Sequence, residues 1–173
     1  MADHSLNALH AAARAMEEVV LPAIDAKHPL AREQAGLVLR YLRLFEQRMD
    51  HAYQRNRFDL ARACELGQAL MAPPFDVSAA ITQALQTAIQ TGQQLLSNPS
   101  SRPSALQQTT TEIARVTTAL IRTLAAVRPE ISAQVERLVL EKSAAWLDMQ
   151  RAWFLPQGWE PDPSVVPSID DLV

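Results

Sequence analysis

Four glycines and one cysteine occur in 173 residues, and each scarcity excludes something. A single thiol, Cys64, closes no intrachain disulfide and by itself builds no cysteine metal site. So few glycines leave neither a phosphate-cradling loop nor a Gly-x-Ser-x-Gly nucleophile elbow. Aromatic residues are 5% of the chain, and all three tryptophans lie beyond residue 145. Lysine is nearly absent. Arginine outnumbers it fourteen to two, which reads as a compositional bias of bacterial type rather than a function. No run approaches the roughly 18 apolar residues of a membrane span. The opening MADHSLNALHAAARAMEEVV lacks a basic region followed by a long apolar core. The expectation is a cytoplasmic chain without a transmembrane segment.

Positive charge is also in short supply. A net charge of −3 argues against nucleic acid as a partner, since non-specific binding needs a surplus of Lys and Arg at phosphates. The local exception runs from Arg40 to Arg62, where six arginines face Glu46, Asp50 and Asp59. With Phe45 placed at the centre of a buried stripe, Arg43, Glu46, Gln47, Asp50 and His51 fall on the far side. The patch then reads as a solvated mosaic of charge pairs.

What is present is helical periodicity. Apolar residues are 48% and charged residues 20%, an ordinary globular balance. Leu6, Leu9, Ala13, Met16, Val20 and Ala23 recur at three- and four-residue spacing, with Pro22 set to kink or end that helix. Pro29 opens a second helix, whose stripe is Ala35, Val38, Leu42, Phe45, Met49 and Ala52, to about residue 55. A third runs from about Asp59 to Met71, closed by Pro73 and Pro74. The fourth follows Asp76 or Ser78 as a cap and ends near Asn98. Ser104 is placed to cap the fifth, which carries Leu106, Ile113, Val116, Leu120, Leu124 and Val127. Pro129 opens the sixth, reaching about Phe154. No hairpin-bounded alternation appears. The predicted class is therefore all-α, a bundle of five or six helices over residues 1–155 with an extended proline-rich tail over 156–173.

One stretch has a family flavour. NRFDLARACELGQALMAPP resembles the second half of a tetratricopeptide repeat over nineteen residues. It occurs once, and a solenoid needs about three units to bury its faces, so it implies a helix and no repeat function.

Candidate sites come from leftovers of this pattern. None of the four histidines has a glutamate three residues before it, so the inward Glu-x-x-His of a bundle metal centre is missing. No catalytic, metal or cofactor residue is assigned, and the reading leans away from an enzyme. The sixth helix has a main stripe of Ile131, Val135, Leu138, Ala145, Met149 and Trp153. Leu140, Leu147 and Phe154 lie on nearly the opposite side. A helix apolar on two faces is central or meets a partner. From Val77 to Ser101 there is no charge, and Gln83, Gln86 and Gln90 line a polar face whose burial would cost less than that of ions. These six residues form the candidate interface, for a homodimer or a helical partner. Lys142, Trp146 and Thr117 form the candidate pocket of the rival reading, a small-molecule-binding bundle or minor enzyme subunit with a site between the fourth, fifth and sixth helices. A third idea is a granule or lipid-surface coat of the phasin type, although no phasin motif is matched. The tail ends in Asp-Leu-Val, a weak match to termini that carboxylate-capturing domains bind.

Overall fold

A computed structural model describes residues 4–72, 75 and 79–173. The chain is 86% helical, with six main helices and no strand among the described residues. The helices are α1 (His4–Ala15), α2 (Pro29–Arg48), α3 (Ala52–Met71), α4 (Ala79–Ser97), α5 (Pro103–Val127) and α6 (Ser132–Phe154). The closing prolines 73 and 74 and the expected caps Asp76 and Ser78 lie outside the described residues. Two compact units emerge. The first holds residues 1–52 with 151–166, and the second holds 53–150 with 167–173.

In the first unit, α1 continues through a π turn, Met16–Val20, into a short helical piece, Leu21–Ala23. A π turn admits one extra residue, so everything after it rotates by about 100° relative to a regular helix. The expected stripe positions Val20 and Ala23 are accordingly exposed, and Leu21 and Ile24 are half-buried in their stead. Pro22 explains the turn. In a regular helix its ring would strike the carbonyl four residues back, and its missing N–H leaves that carbonyl without a donor.

On α2 the buried position is Leu44, while Phe45, expected at the centre of the stripe, is 53% exposed. Val38 and Tyr41 are exposed with it. The helix is turned by about one residue, because Leu37, Leu44 and their neighbours form an equally apolar face and polar contacts choose between the two. Arg43 donates to Glu17 Oε2 at 2.5 Å and to Glu46 Oε2 at 3.0 Å, and the His10 ring nitrogen Nδ1 pairs with Glu46 Oε1. This ion cluster clamps α1 to α2. Hydrogen bonds from His10 and then Arg43 hold the Glu46 carboxyl below its usual range.

Arg48 closes the unit. Its Nε and Nη2 donate to the carbonyls of Trp153 and Ala152 at 2.9 and 3.0 Å, at the end of α6, where a cation also meets the negative end of the helix dipole. Beyond α6 the chain makes short 3-10 turns, and Gly158 takes the left-handed conformation, φ 72°, that ends the first of them. Arg151 then holds Glu160 at 3.0 Å. No long helix forms in residues 155–173, as the prolines require.

The break between α2 and α3 is a single 3-10 turn, Met49–His51, earlier than the expected gap between about residue 55 and Asp59. α3 then runs in the second unit against α4, α5 and the first part of α6. Its core is continuous: Leu60, Cys64 and Leu70 of α3, Leu85 and Ile89 of α4, Ile113, Val116, Leu120 and Leu124 of α5, and Val135 of α6. The α4–α5 link, expected as a loop, is pinned three ways. Ser101 Oγ donates to Leu95 O at 2.7 Å, Tyr53 to Pro99 O at 2.7 Å, and Arg57 Nη2 to Leu96 O at 2.5 Å. The cap of α5 is Arg102 in extended conformation with Pro103 in the first turn, so Ser104 sits inside the helix rather than capping it.

Gly67 of α3 and Gly92 of α4 set the α3–α4 spacing. A Cβ at Gly92 would lie 2.7 Å from Cys64 Sγ and 3.2 Å from Leu60 Cδ1, whereas one at Gly36 meets nothing within 4 Å. Gly92→Ala is therefore expected to destabilise the second unit by about 1–3 kcal/mol, overpacking outweighing the gain in helix propensity. Gly36→Ala is expected to stabilise by about 0.4–1 kcal/mol. Urea unfolding of the two variants checks both signs. The clamp gives a pH dependence. A glutamate with a depressed folded pKa stabilises the fold above its unfolded pKa, and that contribution is lost as pH falls through the folded value. Glu46→Gln should melt below the wild type at neutral pH, with the gap closing as the pH falls below the ordinary glutamate range. Melting followed by circular dichroism at several pH values reads this directly.

Candidate functional site

The segment that carries the most charge, Leu44 to Asp59, is occupied with holding helices. Arg48 and Arg57 bind carbonyls at helix ends, Arg55 pairs with Asp59 at 3.3 Å, and Glu46 belongs to the α1–α2 clamp. Among the described residues no three His, Cys, Asp or Glu side chains gather as metal ligands, and no helix is long and apolar enough to cross a membrane. Cys64 is buried, and burial, aided by the charge of Glu65, pushes its pKa up to about 11. A thiol so seldom ionised is a poor nucleophile.

A groove of about 670 Å³ runs along α4 and α5 in the second unit. Ala80, Ala84 and Ala88 recur every four residues on α4 and form its floor, because that spacing keeps them on one face. Thr87 and Thr91 stand beside them. Their hydroxyls donate to the carbonyls of Gln83 and Thr87 at 2.9 and 3.1 Å, so they offer only lone pairs outward. α5 contributes Gln108, Thr109 and Glu112. Glu112 is gripped by Arg115 at 2.8 and 2.6 Å, which holds its carboxyl below the ordinary range. The groove is thus close to neutral. Of the expected interface glutamines, Gln83 lines it, while Gln86 and Gln90 are exposed and do not.

The outer side of α6 is open. Leu140 is 73% and Leu147 62% exposed, with Ala144 exposed between them, while Ile131, Val135 and Met149 on the other side are buried. Phe154, the third member of the expected outer stripe, differs. It is half-buried and stacks on Trp159 in the first unit, with ring centroids 6.0 Å apart at 26°.

No protein-family model, curated protein or solved structure matches this chain. Function therefore rests on the surfaces themselves.

The three residues expected to share a pocket part company. Lys142 is exposed, Trp146 is half-buried against the core, and Thr117 is sealed inside it at 5% exposure. An exposed ammonium and a sealed hydroxyl make no common binding surface. Thr117 is still unusual. Thr110, Thr118 and Thr123 donate to the carbonyl four residues back, whereas Thr117 Oγ1 has no hydrogen-bond partner among the described residues. The α4–α5 groove itself was not legible as a pocket in the sequence. The Ala80–Ala84–Ala88 spacing was its available signal, hidden because small residues also mark a packed face. For Thr117, replacing an unpartnered buried hydroxyl by a methyl removes a desolvation penalty of about 1–3 kcal/mol. Thr117→Val is expected to raise the unfolding midpoint, measured by urea titration. A fall would mean that the hydroxyl is held by a ligand or water.

Proposed function

We propose that this chain is a non-catalytic interaction protein that acts as a homodimer of helical chains. The observation that carries the reading is the pair of exposed leucines, Leu140 and Leu147, on a helix whose opposite side already fills a core. Single exposed apolar residues are ordinary on protein surfaces. Two leucines in line on one helix, separated by an exposed alanine, form the kind of stripe that another helix covers. The neutral Gln and Thr face of α4 supports the same reading, since covering it strips water from amides rather than from ions. A helical protein of another kind is the variant partner.

A second reading has its own observation. The α4–α5 groove falls within the size range of small-molecule sites, roughly 300–1,000 Å³. It would make the chain a binding bundle or minor enzyme subunit, with a neutral, largely apolar ligand held by Gln83 and Gln108 amides.

Native mass spectrometry of the full-length chain separates the two. The dimer reading expects a species at twice the 19.1 kDa chain mass. It further expects that Leu140→Glu combined with Leu147→Glu yields single chains of unchanged helicity. A wild-type monomer carrying a stoichiometric extra mass would replace the dimer by the groove reading.

A further inference from the structure

The first unit holds a smaller hollow, of about 200 Å³, where α2 meets the 3-10 turn that follows α6. Arg40, Arg43, Leu44 and Gln47 of α2 line it, and their three- and four-residue spacing keeps them on one face. The turn supplies Gln157, and the π turn supplies Glu17. The turn is tied down beside α2. Gln157 Nε2 donates to Arg40 O at 3.4 Å, and Arg48 grips the end of α6 just before it.

The two arginines of this face differ in what they hold. Arg43 gives one terminal nitrogen to Glu17 and the other to Glu46, so its charge is already spent. The Arg40 guanidinium makes no hydrogen bond and no ion pair among the described residues. An exposed arginine alone is ordinary. Arg40 differs because it stands at a hollow with an apolar lining, the half-buried Leu39 and Leu44, which is 2% exposed. One unspent positive charge calls for one negative charge. A guanidinium presents a planar fork that matches both oxygens of a carboxylate. The Glu17 carboxylate at the same hollow disfavours a doubly charged anion such as phosphate. The volume lies below the roughly 300–1,000 Å³ of drug-sized sites, which admits only a compact molecule.

We propose that this hollow binds a small monocarboxylate, with the Arg40 guanidinium as its counter-ion and its apolar body against Leu39 and Leu44. The site is separate from the α6 surface and from the α4–α5 groove, and it stands or falls without either.

Isothermal titration calorimetry of the full chain with sodium benzoate tests it. One saturable site is expected, with a Kd of about 1 mM or tighter. Benzamide keeps the shape without the charge, and acetate keeps the charge without the ring. Each should bind at least about tenfold more weakly. Arg40→Gln should raise the benzoate Kd at least about tenfold with helicity and melting unchanged. Arg32→Gln, at another exposed arginine of α2, should leave it unchanged. Absence of saturation in the wild type, or an unchanged Kd in Arg40→Gln, would overturn the proposal. Acetate or inorganic phosphate binding as tightly as benzoate would also overturn it, reducing the hollow to an adventitious anion site.

Discussion

The close passage of α3 and α4 governs the second unit. Two glycines face each other's helix in a reciprocal way. Gly67 of α3 lies beneath Leu85 and Ile89 of α4, and Gly92 of α4 lies beneath Leu60 and Cys64 of α3. Each helix thus offers a notch and two side chains that fill the other's notch. That leaves little freedom in how α4 is rotated. With Leu85, Ala88, Ile89 and Gly92 turned inward, the alanines at 80 and 84 and the threonines at 87 and 91 must come to the α5 side as a groove. The glutamines at 86 and 90 must face outward. The neutral surface of α4 is a geometric consequence of how its opposite side fits α3.

Arginine does structural work in both units, and the shape of its side chain decides why. Arg48 reaches two successive carbonyls at the end of α6, and Arg57 reaches Leu96 and Asn98 at the end of α4. A planar fork of fixed donors spans two carbonyls at once, whereas an ammonium offers a single point of charge. The excess of arginine over lysine is therefore more than a compositional bias at these positions. Arg62 adds a second mode, lying over the Phe58 ring at 5.6 Å while pairing with Glu65.

Much of the fold was legible because proline and small-residue periodicity are local signals. The start of α2 at Pro29 and the inward face of α5 from Leu106 to Leu124 follow directly from the order of residues, although Val127, expected on that face, is exposed. Three things were not legible, each for a physical reason. The face of α2 was ambiguous because Leu37, Leu44, Phe45 and Tyr41 form two overlapping apolar stripes, and the choice is made by His10 and Glu17, far away in sequence. The cap of α5 moved from Ser104 to Arg102 because Pro103 fills the first turn well without a side-chain cap. The parting of Lys142 from Thr117 was hidden because both lie on the inner side of their helical wheels, and a wheel does not show where along its length a helix leaves the core. Of the candidate surface residues, Leu140 and Leu147 lie open, whereas Phe154 is covered by a ring that follows it in the chain.

The π turn in the first helix bears on how the chain tolerates changes of length. Residues after Met16–Val20 already run one position out of α-helical phase. Removing the exposed Val19 would restore regular phase and leave Leu21 and Ile24 facing the same way, at the expense of seating Pro22 in an ordinary helical turn. The same excision in the middle of α5 would swing every later core residue, Leu120 and Leu124 among them, by about 100° away from its neighbours. One helix thus carries a spare letter, and the other admits none.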